Sequence, residues 1–166
     1  MCSLIAQGVY RPLASGLVTA IRPLDHALDA EHCDAIIAAL PDWFGDEQGI
    51  RDCAEAVRTH AGLVAEIDGE IVAFLTWTCD GDVAEITWMA ARPERRRTGT
   101  GRSLIDALVE RLQGVRELRV KTLSEREPYP PYAETRAFYR AMGFTPVAEL
   151  DIWGPENPAV LFVRRL

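Results

Sequence analysis

The chain has 166 residues, a length typical of a single domain at ~100–200 residues per domain. With 48% apolar and 26% charged residues, the composition is that of a globular protein and excludes a disordered chain, a coiled coil and a collagen. The 25 acidic and 18 basic residues give a net charge of −7. This charge disfavours nucleic-acid binding, which needs basic groups to neutralise phosphate, and mildly favours cationic ligands such as amines.

Two classes of site are also disfavoured by the sequence. No apolar run reaches the ~20 residues that span a bilayer, and residues 1–9 lack the charged and apolar regions of a secretory signal. The four cysteines form no CxxC pair, and the three histidines lie far from metal-ligand spacing. We therefore expect a cytoplasmic protein with reduced thiols, no metal site and no membrane partner.

The first predicted elements are a strand and a helix. Residues 1–16 predict a weakly ordered lead-in to a single domain over 17–166. A strand over 17–24 precedes a helix over 25–40, for which Asp25 supplies the N-cap. The apolar positions of this helix recur at helical spacing: Leu28, Cys33, Ile36, Ile37 and Leu40.

Pro41 ends this helix, and the turn that follows carries two large aromatic residues, Trp43 and Phe44. A second helix is predicted over 47–58. Its predicted apolar face consists of Ile50, Cys53, Ala54 and Val57.

Three strand-like runs come next, over 63–67, 70–78 and 83–91. The turns between them are Asp68-Gly69 and Asp80-Gly81, and Asp-Gly between apolar runs is typical of a β-hairpin. These runs therefore predict an antiparallel meander.

The remaining elements alternate between helices and strands. After a basic, glycine-rich segment, a helix is predicted with the apolar stripe Leu104, Ile105, Leu108, Val109 and Leu112. A strand over 115–123 and a helix over 132–142, ended by Gly143, follow. Two strands over 144–152 and 159–166 close a mixed α/β domain.

The basic segment over 95–102 follows a strand and opens a helix. Free amides at a helix N-terminus, together with arginine donors, suit a phosphate group. A P-loop is excluded because no Gly-Lys-Ser/Thr is present, and a dinucleotide fingerprint fails because Leu104 takes the place of its last glycine. The alternative interpretation is a solvated basic helix start.

Two motifs together resemble those of the GNAT acetyltransferase superfamily. Arg96, Gly99 and Gly101 fit the pattern Arg/Gln-x-x-Gly-x-Gly/Ala that follows the fourth strand in that family. Residues 137–144, Ala-Phe-Tyr-Arg-Ala-Met-Gly-Phe, resemble its penultimate helix. The resemblance covers most of the chain from Leu17 onward and implies an acetyl-CoA-dependent N-acetyltransferase.

The resemblance also implies a fold and a cofactor site. The fold would be a mixed, mostly antiparallel sheet with a splay between the fourth and fifth strands, flanked by about four helices. Backbone groups of Met89, Ala90 and Ala91 would pair with the pantetheine arm of acetyl-CoA. The amides expected to hold the pyrophosphate are those of Arg96, Arg97, Thr98, Gly99, Thr100, Gly101 and Arg102.

In many relatives the tyrosine that matches Tyr139 protonates the departing thiolate, a role that suits a neutral proton donor. The alternative for Tyr139 is packing in an aromatic region of the core. One feature departs from the family pattern. Relatives often carry an asparagine one or two turns earlier, where this chain offers Tyr132, Glu134 and Thr135.

An ammonium substrate must lose a proton before it attacks a thioester, so a general base is needed. Glu85 stands in the fourth strand where many relatives carry that base, and Glu66 on the second strand is an alternative. Glu85 could equally be an outward-facing glutamate on a half-solvated strand. No Cys stands near a His in an acyl-enzyme arrangement, so direct transfer is preferred.

The resemblance assigns the acceptor side to the turn after the first helix and to the loop before the motif helix. We therefore expect substrate contacts from Trp43, Phe44 and Tyr132, with core packing as the alternative. The acceptor would be a small-molecule or peptide amine, and a homodimer is left open because dimers are common among GNAT proteins. Two other functions stay open: a CoA-binding regulatory module without turnover, and transfer of a different acyl group.

Overall fold

The computed structural model describes residues 20–44, 46–126 and 129–166. The strands are β1 (Ala20–Pro23), β2 (Ala61–Ile67), β3 (Glu70–Asp80), β4 (Val83–Ala91), β5 (Glu117–Leu123), β6 (Thr145–Leu150) and β7 (Ala159–Arg165). The helices are α1 (Ala30–Ala38), α2 (Glu47–Thr59), α3 (Thr100–Arg111) and α4 (Pro130–Ala141), with a short 3₁₀ turn at Pro93–Arg95. The predicted lead-in over 1–16, and residues 17–19 of the first predicted strand, lie outside the described residues.

The strands form one seven-stranded sheet in the order β1-β2-β3-β4-β5-β7-β6. Every neighbouring pair is antiparallel except β4 and β5, which are parallel. At the β2–β3 hairpin, Asp68 and Gly69 both have positive φ (53° and 82°), as a type I′ turn requires. The predicted element order and the mixed, mostly antiparallel sheet are confirmed.

The parallel pairing of β4 with β5 is short. It joins residues 83–86 to residues 117–120, although β4 continues to Ala91 and β5 to Leu123. The two strands therefore diverge over their second halves, and no strand of the described residues pairs with the edge of β4 that faces β5 there. The predicted splay between the fourth and fifth strands is confirmed.

A β-bulge lies at the point where the strands separate. Trp77 of β3 is opposite Ile86, but Thr76 is opposite Trp88, so Thr87 is an extra residue in β4. A bulge bends its strand and increases the local twist, which turns the second half of β4 away from β5.

The sheet has an apolar core on each face. Leu75 faces one core and its neighbour Phe74 the other, because successive strand residues point to opposite faces. The first core includes Leu104, Ile105 and Leu108 of α3 together with Tyr139, Met142 and Phe144 at the end of α4. The second includes Cys33, Ile36 and Ile37 of α1 and Cys53 and Val57 of α2.

The predicted start of the first helix was wrong. The helix begins at Ala30 with Asp29, not Asp25, in the N-cap position, and Leu28 is 73% exposed rather than buried. The Asp25 carboxylate instead accepts hydrogen bonds from the amides of Ala27 and Leu28, at 2.9 and 3.1 Å. A separate turn therefore precedes the helix and carries Leu28 out of the apolar face.

Two smaller differences concern the other helices. In α2 the buried residues are Cys53, Ala56 and Val57, whereas the predicted core residue Ile50 is 39% exposed in the first turn. The last helix begins at Pro130, two residues before its predicted start, because proline is well tolerated in the first turn of a helix.

Candidate functional site

The loop between β4 and α3 has a backbone suited to anions. Arg97 and Gly99 both have positive φ, 61° and 88°, and the Thr98 hydroxyl donates to the Arg95 carbonyl oxygen at 2.7 Å. The first backbone bond into α3 runs from the Ser103 amide to the Gly99 carbonyl oxygen. The amides of the preceding residues are left without intrahelical acceptors, and they stand at the positive end of the helix dipole.

The two glycines at the start of α3, Gly99 and Gly101, have different structural roles. An added Cβ at Gly99 would meet nothing within 4 Å, so space is open beside the loop. At Gly101 the same atom would lie 3.0 Å from Met89 Cε and 3.1 Å from Phe138 Cζ. Gly101 therefore allows α3 to pack closely on β4 and α4, whereas Gly99 supplies the left-handed backbone of the loop.

Met89, Ala90 and Ala91 all lie in the second half of β4, beyond the bulge. Ala90 packs in the core beneath α1 and α2, while Met89 and Ala91 pack against the core on the other face. The structure thus brings the unpartnered edge of β4, the arginine-rich loop and α4 together around the splay.

Tyr139 is almost fully buried, at 6% exposure. Its ring packs against those of Phe138, Phe144 and Phe162, with centroids 5.4, 5.6 and 6.3 Å away. Within the described part of the chain, no hydrogen-bond partner reaches its hydroxyl. Burial raises the pKa of Tyr139 well above that of an ordinary phenol, so the group stays protonated at neutral pH.

Glu85 lies in the paired half of β4, two residues before the bulge. Its Oε1 accepts a hydrogen bond from Lys121 Nζ on β5 at 2.7 Å, and its side chain is 29% exposed. Since Ala84 and Ile86 face the core that contains α3, Glu85 points to the opposite face of the sheet.

A group of hydrogen-bonded side chains near Glu85 was not predicted from the sequence. The Thr87 hydroxyl, on the bulge, lies 2.8 Å from the Thr76 hydroxyl and 3.1 Å from His60 Nδ1. The alternation of residues along β4 gives no sign of the bulge at Thr87, because a bulge depends on the register between β3 and β4.

Glu66, the alternative base, lies in a different region of the sheet. Its carboxylate accepts two hydrogen bonds from Arg22, at 2.8 and 2.6 Å, and Arg22 also binds Asp29. The whole of β3 separates β2 from β4. Glu66 therefore belongs to an ion-pair network at the β1 edge and not to the residues around the splay.

The three predicted acceptor-side residues lie close together. Trp43 Nε1 donates to Thr135 Oγ1 at 3.3 Å, and the Tyr132 hydroxyl donates to the Trp43 carbonyl oxygen at 2.9 Å. Phe44 packs against Trp88 of β4 with ring centroids 5.9 Å apart. Burial raises the pKa of Tyr132, so this hydroxyl also remains a donor at neutral pH.

The side chain of Arg96 has an unexpected location. Its guanidinium carbon lies 4.1 Å from the centre of the Trp43 ring, and Nη2 donates to Glu134 Oε2 of α4 at 2.9 Å. Nothing in the sequence pattern joins positions so far apart in the chain, and the contact arises only when the splay brings the three segments together.

Within 20–44, 46–126 and 129–166, no group of three His, Cys, Asp or Glu side chains is placed to hold a metal ion. None of the helices described has the length and apolar character that crossing a membrane requires.

Comparisons with known proteins agree with this geometry. The model of the acetyltransferase (GNAT) domain matches residues 58–146, more than half of the chain. A GNAT-family acetyltransferase from Desulfovibrio desulfuricans superposes with a TM-score of 0.76 at 21% identity, covering 89% of this chain and 98% of the other. The ribosomal-protein-S18-alanine N-acetyltransferase of Escherichia coli gives 0.72 at 19%, covering 89% and 93%.

A third solved structure is an aminoglycoside 6′-N-acetyltransferase complexed with coenzyme A. It gives a TM-score of 0.64 at 16% identity and covers 87% of this chain and 96% of that one. At these identities the structural likeness shows a common fold. No curated protein matched the sequence.

Proposed function

Because the chain belongs to the GNAT acetyltransferase family, we propose that it transfers an acetyl group from acetyl-CoA to a primary amine by direct attack in a ternary complex. The observation that carries this proposal is the splay, with an anion-binding loop at one side and a protonated, buried tyrosine beside it. The structural neighbour that holds coenzyme A on the same fold supports the cofactor.

The residues around the splay fit a CoA thioester. A pantetheine arm carries amide groups, and the unpartnered edge of β4 at Met89, Ala90 and Ala91 offers backbone donors and acceptors to pair with them. The amides of residues 97–102 and the three arginines of 96–102 suit a pyrophosphate. The Arg96 amide itself already donates to the Pro93 carbonyl oxygen at 3.2 Å. Open space beside Gly99 leaves room for it.

Each step of the transfer is then assigned to residues of this chain. When bound, acetyl-CoA supplies an activated acyl group, whose C–S bond breaks as a C–N bond forms. Glu85 takes a proton from the ammonium, and backbone amides of β4 beyond the bulge stabilise the charge that develops on the carbonyl oxygen. Tyr139 donates its proton to the departing sulfur. No thiol of the chain is needed for this route.

The acceptor is proposed only as an amine, small or peptidic. Two neighbours are named for different substrates, an alanine of ribosomal protein S18 and an aminoglycoside, so the shared fold does not choose between these classes. Trp43, Phe44 and Tyr132 are the proposed acceptor contacts. The proposal includes a cytoplasmic location and a single domain over 17–166.

Thermal unfolding with and without acetyl-CoA tests the cofactor site. A ligand that binds only the native state stabilises it by about 2.7 kcal/mol at a hundredfold excess over its Kd. Gly99→Ala should weaken this shift, whereas the matched control Gly81→Ala should keep it. Both glycines have positive φ and open space at Cβ, so the two variants suffer similar backbone strain.

An amine panel assayed by release of the CoA thiol then tests the transfer. Thiol release with at least one primary amine, together with the shift, supports the proposal. No shift at millimolar acetyl-CoA would overturn it. Competition among acyl-CoA donors would show whether a different acyl group is preferred.

One observation favours a second candidate, a CoA-binding module without turnover. Lys121 is bound to Glu85, the proposed base, and neutralises its charge. A thermal shift with CoA but no thiol release from any amine would support this candidate.

A further inference from the structure

Three segments meet at a contact across the splay, here called the Arg96 contact. It consists of Trp43 before α2, Arg96 in the loop before α3, and Tyr132, Glu134 and Thr135 on α4. Arg96 is shared between two of these segments, because its guanidinium stacks on Trp43 and donates to Glu134.

The Arg96 contact is weak enough to exchange. Arg96 and Glu134 are 33% and 58% exposed at their side chains, and solvent screening leaves an exposed ion pair with little net stability. A cation–π contact at a partly exposed site is similarly weak. Phosphate offers the same guanidinium a more highly charged, bidentate partner.

The backbone of Arg96 belongs to the loop proposed to hold the pyrophosphate. A phosphate bound to these amides would lie beside the Arg96 side chain and would compete with Glu134 for it. The Trp43 side chain would then lose the cation over its ring and keep its packing against the core beneath α1 and α2 and one hydrogen bond, to Thr135, which is long at 3.3 Å.

We propose that Arg96 is a positioning residue that holds Trp43 against α4 in the free protein and exchanges Glu134 for the pyrophosphate when CoA binds. Cofactor binding thereby loosens Trp43, one of the proposed acceptor contacts. This inference rests on the proposed function, since it requires CoA in the splay.

Tryptophan fluorescence with acrylamide quenching reports on Trp43 without any acceptor. Addition of CoA should change the emission and increase quenching in the wild-type protein, with binding measured separately by calorimetry. Trp43→Phe should lose this change. The matched control Trp153→Phe, which removes a 47% exposed tryptophan on the turn between β6 and β7, should keep it.

A second pair of variants measures the competition itself. Glu134→Gln removes the carboxylate that holds Arg96, so CoA should bind about threefold to fivefold more tightly, the size of an exposed ion pair. Glu55→Gln makes the same charge change at an exposed position of α2 and should leave the affinity at the wild-type value.

The outcomes separate this inference from the proposed function. If calorimetry finds no CoA binding to the wild-type protein, the proposed function fails and this inference fails with it. If CoA binds but Trp43→Phe keeps the full fluorescence change, or Glu134→Gln binds CoA no more tightly than Glu55→Gln, the inference is wrong and the cofactor site stands. Should Trp43→Phe fail to fold, the two glutamate variants decide.

Discussion

The β1 edge of the sheet and the splay each hold a strand glutamate bound to a basic side chain. Glu66 and Glu85 are 26% and 29% exposed, and their closest ion-pair distances are 2.6 and 2.7 Å. Exposure and distance therefore do not separate them. What differs is the partner: Arg22 also binds Asp29, which is 3% exposed, whereas Glu85 is the only ion-pair partner of Lys121 among the described residues.

This difference supports a structural role for Glu66 and is compatible with the role proposed for Glu85 as the base. A guanidinium has a planar fork of donors, and Arg22 uses it to join β1, β2 and the start of α1. A lysine ammonium on a flexible stem is displaced more readily. Glu85 also lies beside the bulge, where an incoming amine would meet the end of the splay.

The largest expected effect comes from substituting these two glutamates in parallel. Glu85→Gln should lower the rate of acetyl transfer by about 10²–10⁴-fold, the usual contribution of a general base. Glu66→Gln should leave the rate within about twofold of wild type, since it touches no reacting group. Thiol release with an amine identified by the panel measures both. Equal losses in the two variants would refute the distinction between the two regions.

Tyr139→Phe should reduce kcat by about 10²-fold while CoA affinity is unchanged, because only the proton donor is lost. The phenyl ring keeps its contacts with Phe138, Phe144 and Phe162, so the unfolding temperature should hardly move. Burial raises the pKa of Tyr139, so its acid form persists as the pH rises through the range in which an ordinary phenol ionises. An alkaline loss of activity below about pH 10 that vanishes in Tyr139→Phe would show that the pKa of Tyr139 is not raised. A kcat of Tyr139→Phe within about twofold of wild type would contradict its role as the acid.

A substitution at the β1 edge should change the stability of the protein rather than its rate of acetyl transfer. Asp29→Asn leaves Arg22 without a buried partner and should lower the free energy of unfolding by about 2–3 kcal/mol. For a domain of this size the unfolding temperature should fall by about 2–4 °C per kcal/mol. Thermal unfolding of both proteins, with acetyl transfer as the control, checks this prediction.

The same carboxylate gives a pH dependence with a definite sign. Desolvation acts to raise the pKa of Asp29, but hydrogen bonds from Arg22 and the Asp25 amide outweigh it, and the folded-state pKa is lowered. Its contribution is therefore complete above the unfolded pKa of about 3.9 and is lost as the pH falls through the folded value. The stability gap between wild type and Asp29→Asn should close at acid pH. A gap that widens there would reverse the sign.

Much of the fold could be predicted because its signals are local. Apolar runs and Asp-Gly turns located the meander, and Val83–Ala91 has the predicted bounds of its strand. The start of α1 was wrong because Asp25 and Asp29 are both good N-cap residues. The choice between them depends on Arg22, which reaches Asp29 across the chain.

The site was less predictable because its contacts join segments that are distant in the sequence. Two sequence motifs indicated the loop and Tyr139, but partners such as Lys121 for Glu85, or Trp43 for Arg96, come from distant segments. The bulge at Thr87 depends on the register between strands, which alternation along one strand does not fix.

The smallest expected effect is on stability and comes from substituting two buried threonines, one beside the splay and one on β3. Thr122 lies on β5 beyond its last residue paired with β4, is 3% exposed, and has no hydrogen-bond partner for its hydroxyl within the described residues. Thr122→Val should therefore stabilise the protein by up to about 1 kcal/mol, since it removes an unsatisfied buried group.

Thr76 is equally buried, but its hydroxyl is bonded to that of Thr87. Thr76→Val should destabilise by about 1 kcal/mol because the Thr87 hydroxyl loses one of its two partners and keeps only His60. Denaturant unfolding of both variants measures the difference. If Thr122→Val instead destabilised the protein as much as Thr76→Val does, the Thr122 hydroxyl would have a hydrogen-bond partner. The two buried threonine hydroxyls, on β5 and on β3, would then not differ in hydrogen bonding.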